Sequence, residues 1–228
     1  MHISPGVVEG PKMILSYATS AAAFAMAAKS SYATVRADGG LKALVWRSIA
    51  TTAQVLCFFQ LLPHYVVGVS EVHFIFGAAL YLVFGAGPTA IGLAGGLLLQ
   101  GLLFQPQDLP QYFINVTNLI VPLLVVSSLV KRIVPKHMPY VDIKYRQLLA
   151  LSAAYQGGVI LMVALWCFYG KGFSTANVNA VLWFALNYLV VIVFEPMICL
   201  VALALAKKYD YLTKGHPLFY NRLHHEVA

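Results

Sequence analysis

Residues 178–206 read VNAVLWFALNYLVVIVFEPMICLVALALA and hold one charged side chain, Glu195, before Lys207 and Lys208 close the run. A helix on a soluble protein keeps a polar face. A segment that is apolar all round over roughly 20 residues is long enough to cross a bilayer. Working back towards the N-terminus, the same pattern recurs at 12–34, 42–63, 72–86, 88–104, 113–130 and 147–169. Of the 228 residues, 60% are apolar and 10% charged, too little charge to clothe a soluble domain. The expected fold is an all-α integral membrane protein, a bundle of about seven transmembrane helices forming one domain over residues 1–228. The spans at 72–86 and 88–104 are short, roughly 24 Å each at the helical rise. Gly85-Ala86-Gly87-Pro88 divides them. That pattern fits either a tight helical hairpin or the interrupted helices that mark substrate sites in transporters.

Charge orients the bundle. The net charge of +7 does not form one patch, which argues against nucleic-acid binding. With the N-terminus outside, only Lys12 and Lys171 of the 15 Lys and Arg residues face outward. The others gather in and beside the 35–41 and 131–146 connections and in the tail from 207, as the positive-inside rule requires. The C-terminus is then cytoplasmic, and residues 207–228 form a basic tail expected to lie along the inner membrane surface. Residues 1–11 hold no Lys or Arg before an apolar stretch, so they do not read as a secretory signal. They are taken as part of the mature chain.

Three cysteines, Cys57, Cys167 and Cys199, are scattered in apolar runs without metal-ligand spacing and read as packing thiols. Facing histidines at depth, which a bis-histidine haem needs, are absent. The first span is rich in alanine, with Ala18, Ala22 and Ala25 among residues spaced for close helix approach in lipid. Their partner is either another helix of this chain or a second subunit. Ser70, Glu71, Gln100, Asn115 and Asn118 are polar groups in or beside the third to fifth spans. Polar groups at such depth either bond helix to helix or serve function. Glu195 is an intramembrane acid that needs a partner.

The chain opens Met1-His2-Ile3. A free α-amine, the backbone nitrogen of the second residue and its imidazole can reach one ion together. Planar nitrogen ligation of that kind suits Ni(II) or Cu(II). His73, on the outer side at the start of the third span, is the histidine placed to face that terminus. His64 lies in the outer loop beside Pro63, while His137, His216, His224 and His225 sit in polar cytoplasmic sequence.

Taken together, these residues resemble the CbiM/NikM family, the substrate-binding component of nickel and cobalt energy-coupling factor transporters. The resemblance is carried by Met1-His2-Ile3, Gly6, Gly68-Val69-Ser70-Glu71-Val72-His73, Gly85, Gln100-Gly101-Leu102-Leu103-Phe104 and Asn115-Val116-Thr117-Asn118. His73, Gly85, Gln100, Phe104 and Asn115 follow the family's intervals without a gap. Glu195 also resembles the family's glutamate in the last helix. There are departures. Glu71 stands where the family has a small residue two before the histidine, and the preceding Gly and Ser are shifted by one. Phe76 precedes Gly77 where the family's glycine is expected, and Tyr188 replaces a histidine found in many members.

The resemblance implies a multi-pass protein of the bacterial inner membrane that captures Ni2+ or Co2+, with Cu2+ an alternative. The ion is held by nitrogens of Met1, His2 and His73. Ser70, Glu71, Gln100, Asn115 and Asn118 brace the N-terminal segment. Partners are a transmembrane coupling subunit, ATPase subunits and in some systems a small accessory membrane subunit. The chain has no Walker A run, so it is read as a transporter subunit and not an enzyme, with ATP hydrolysed by partners. The alternative is an accessory or structural membrane subunit that reuses the fold and binds copper or no metal.

Overall fold

A computed structural model describes residues 2–225. Among them are eight α-helices: α1 Met13–Ala37, α2 Gly40–Leu61, α3 Gly77–Phe84, α4 Ala86–Leu103, α5 Tyr112–Ile133, α6 Tyr145–Lys171, α7 Thr175–Lys208 and α8 Asp210–Thr213. Four stretches are long and apolar enough to cross a membrane: Ala86–Leu103, Pro106–Ile133, Tyr145–Lys171 and Thr175–Lys208. Helices α1 and α2 have the length, about 38 and 33 Å at the helical rise, but a more polar composition. Helix α7 stays continuous through Pro196. It leaves Leu182, Trp183, Leu186, Val193, Phe194, Met197 and Val201 exposed. An apolar band of that extent belongs against lipid.

The third expected span, 72–86, is not one helix. Residues Tyr65–Val67 (β1) and Ser70–Val72 (β2) form a small antiparallel hairpin, with Tyr65 opposite Val72 and Val67 opposite Ser70. Only Gly77–Phe84 is helical, about 12 Å of helix. The all-helical expectation is corrected at this point. Irregular backbone inside a bundle survives only where protein groups satisfy it, and they do. The Gln156 side chain donates to Ile75 O at 2.7 Å, and Glu195 Oε1 accepts the Ala78 N–H at 2.8 Å. Val72, His73 and Ile75 are fully buried.

Within the described chain, close helix approach is made by glycines of α4. A Cβ at Gly92 would lie 2.2 Å from Thr51 Oγ1, and one at Gly96 would lie 2.6 Å from Val55. These two glycines, four apart on one face, let α4 nest against α2. Helix α1 packs through Ser16, Ser20, Ala23, Ala27, Ser31 and Thr34, while Ala18, Ala22 and Ala25 are exposed. No helix of the described chain covers them.

The bundle has two distinct ends. One holds the hairpin, the N-terminal segment and the 105–111 connection. At the other, the tail from 209 does more than lie on a surface. Tyr220 N–H donates to Val83 O at 2.8 Å. The buried Arg222 donates to Tyr140 Oη and to Val134 O. Arg47 and Asp38 form a buried ion pair, and Arg47 also donates to Pro217 O at 2.8 Å. The tail therefore closes the bundle beneath the α3–α4 junction. Residues 226–228 of the expected tail lie outside the described residues.

Candidate metal centre

The N-terminal segment is built into the fold as an extra strand. Ile3 bridges Ser70 in antiparallel fashion, Ser4 N–H donates to Val69 O at 3.2 Å, and Glu71 N–H donates to His2 O at 3.0 Å. Ser70 Oγ donates to the same His2 carbonyl at 2.8 Å. Strand β2 is a hairpin edge, and an edge offers unpaired backbone groups that a third strand can take. From α5, Asn115 Oδ1 accepts the Ile3 N–H at 2.9 Å. Ile3, Val7 and Val8 are buried, and Gln111 donates to Val8 O. Apolar burial thus fixes the segment's depth, and hydrogen bonds fix its register.

That register sets His2 beside His73. Their ring centroids are 4.9 Å apart, and the residues are 2% and 0% exposed. The buried Phe59 of α2 packs against both rings at 5.0 Å. Glu71 Oε2 lies 2.8 Å from His73 Nε2 and 3.7 Å from His2 Nδ1. Ligand atoms of His2, Glu71 and His73 lie within 4.8 Å of one another, a spacing that can hold one metal ion. Asp108 Oδ2 lies at hydrogen-bond distance, 3.0 Å, from His2 Nδ1.

The residues expected at the site divide. His2, His73, Ser70, Glu71 and Asn115 meet at the N-terminal segment. Gln100 instead donates to Gln105 Oε1, bracing the connection that carries Asp108. Asn118 is buried on α5, about one turn beyond Asn115. Met1 lies outside the described residues. Glu195 is elsewhere, in the core. It accepts from Ser152 Oγ at 2.7 Å and from Gln156 Nε2 at 2.8 Å, besides the Ala78 N–H. It therefore holds the first turn of α3, whose free N–H groups favour a carboxylate. The three cysteines are free thiols.

Three features of the site have little or no signal in the sequence. Asp108 carried the one available signal, being the only acid in the 105–112 connection. His64 stacks on His73 with centroids 5.1 Å apart and ring planes at 15°, a contact made by the turn after α2. Phe59 looked like any apolar residue of a span.

The geometry describes a buried two-imidazole pocket, flanked by carboxylates, at one end of an apolar helical bundle. No curated protein and no solved structure matches the chain. Residues 2–211 match the family model described as the cobalt uptake substrate-specific transmembrane region, CbiM, and the chain belongs to that family.

Proposed function

We propose that this chain is the ion-binding membrane subunit of an energy-coupling-factor importer for Ni2+ or Co2+. It captures the ion through the Met1 α-amine and the His2 and His73 imidazoles. The observation that carries the reading is the docking of residues 2–4 onto β2, which buries His2 against His73. A segment held by backbone pairing, an Asn115 hydrogen bond and three buried aliphatic side chains is pre-organised, so little ordering cost falls on ion capture.

In this reading the bundle makes seven crossings, with α3 and its extended lead-in as the third. The metal pocket opens outward, and the basic tail end faces the cytoplasm of a bacterium. Clustering of Lys and Arg at the tail end supports that orientation. A coupling subunit and ATPase subunits provide the energy, and the exposed Ala18, Ala22 and Ala25 give a neighbouring helix a face to pack on. Protons compete for the ligand nitrogens, so capture is favoured at higher pH.

The test is an N-terminal extension. One residue added before Met1 removes the α-amine from the pocket, and the extended protein is expected to lose stoichiometric Co2+ and Ni2+ binding by elemental analysis. Full retention of the ion would remove the amine from the ligand set.

A further inference from the structure

The tail end of the bundle, away from the metal pocket, holds a polar cavity of about 540 Å3. Lys29 of α1, Lys131 of α5 and Arg222 of the tail line it, together with Gly85 and Ala86 of the α3–α4 junction. Asp38 is the one acid among its lining residues. It is already paired with Arg47, and it accepts the Asn221 N–H at 3.2 Å as well. Among the described residues, none of Lys29, Lys131 and Arg222 has a carboxylate within ion-pair distance. Three positive charges therefore stand unbalanced around one cavity.

Arg222 makes that imbalance costly, because it is 8% exposed. Its guanidinium donates to neutral oxygens alone: Tyr140 Oη at 3.2 Å, Val134 O at 3.3 Å and Pro135 O at 3.2 Å. It lies over the Tyr140 ring, 4.7 Å from the centroid, and its buried Nε has no acceptor. Buried charges are ordinarily paired, as Arg47 is at the same end. Neutral acceptors leave the charge of Arg222 undiminished beside the cavity. A helix start adds to it. Helix α4 begins at Ala86 with no side chain capping its N-terminus, so its first N–H groups carry the positive end of the helix dipole. Cationic side chains beside open helix N–H groups suit a phosphate.

We propose that this cavity binds a phosphate group, supplied by an anionic phospholipid of the adjacent leaflet. Its walls favour a lipid as the source. Helices α1 and α5 border it and turn apolar residues outward, among them Met26 and Val125. Lys29 and Lys131 are exposed beside those faces. Basic pockets between transmembrane helices hold anionic headgroups in this way. In the orientation given above the leaflet is the cytoplasmic one. Arg222 belongs to the tail, while Lys29 and Lys131 belong to the bundle. A phosphate held by all three fastens the tail to the bundle and stabilises the folded chain by mass action.

The experiment titrates the full chain in detergent with phosphatidylglycerol and, separately, with zwitterionic phosphatidylcholine. Native mass spectrometry counts bound lipid, and thermal unfolding reports stabilisation. Phosphatidylglycerol is expected to bind saturably, raise the unfolding temperature and outdo phosphatidylcholine. The double variant K29Q/K131Q is expected to bind it at least tenfold more weakly, at about fivefold for each cation removed. Both lysines are exposed, so the variant should fold. The control K208Q/K214Q removes two lysines outside the cavity and should bind as the wild type does. Equal loss in the two double variants, or equal binding of the two lipids, overturns the proposal, since a diffuse basic surface would then suffice. Displacement of the lipid by millimolar inorganic phosphate, beyond that by chloride at equal ionic strength, keeps the site and overturns the lipid as its source. Co2+ binding, measured alongside, bears on the importer reading alone.

Discussion

Gly170 sits in the last turn of α6, and its position tests whether the N-terminal segment is held where the metal pocket needs it. A Cβ built there would fall 1.9 Å from Val7 O. Ordinary carbon–oxygen contacts begin at about 3.3 Å, so G170A demands a retreat of about 1.4 Å. The obstruction is backbone, which cannot rotate away. Val7 N–H in turn donates to Ser4 O, and Ser4 lies in the stretch paired with β2, so the displacement is passed towards His2. Metal sites tolerate misplacement of about 0.5 Å, and overpacking of a fitted contact costs about 1–3 kcal/mol. At 1.4 kcal/mol per tenfold, Co2+ affinity should fall by roughly 5- to 150-fold. The assay is chelator competition on the untagged protein, with thermal unfolding as a check on the bundle. Gly157, on the same helix, is the control, because a Cβ there meets nothing within 4 Å. G157A should bind the ion as the wild type does. Wild-type affinity in G170A would refute the docking of Val7 against α6.

Other outcomes follow from the same contacts. E195A leaves the buried Ala78 N–H without its acceptor and should destabilise the bundle by about 1–3 kcal/mol. E195Q keeps one accepting oxygen and should cost less, and an unfolding temperature unchanged in E195A would dismiss the helix-holding role. R47A strands the buried Asp38 carboxylate, a loss of about 3–5 kcal/mol, and removes the donor to Pro217 O. Trypsin should then cut at Lys214 sooner than in the wild type, and an unaltered digestion rate would mean that the tail does not depend on this pair. Ion affinity should rise with pH, about tenfold per unit for each proton displaced, up to the α-amine pKa near 8. Below it the proton competes, so binding should weaken below about pH 6. Equal retention of Co2+ at pH 5 and pH 8 would contradict nitrogen ligation by the amine.

Much of this protein is legible along the chain because lipid solvates it simply. In hydrocarbon every backbone group of a lipid-facing segment must bond within its own helix, so apolar length is enough to find α4–α7. The pairing of His2 with His73 was also within reach, since a histidine beside a chain terminus is a local signal and the resemblance supplies the distant one.

The third leg was not legible. Residues 72–86 are as apolar as a span, yet helix begins only at Gly77, because the side chains that satisfy the backbone there, Gln156 at Ile75 and Glu195 at Ala78, come from helices far along the chain. Asp108 was missed for a related reason. A lone acid in a connection has no periodicity, and only the packing of the 105–111 turn against the N-terminal segment brings it to 3.0 Å from His2. Close approach within the chain falls on Gly92 and Gly96, while Ala18, Ala22 and Ala25 stay exposed, since small residues permit contact without naming the partner. The sequence by itself determined the helical bundle and singled out His2 and His73. The tertiary structure decided what surrounds those histidines, because carboxylates, a helix terminus and a strand edge become one site only when distant segments are packed together.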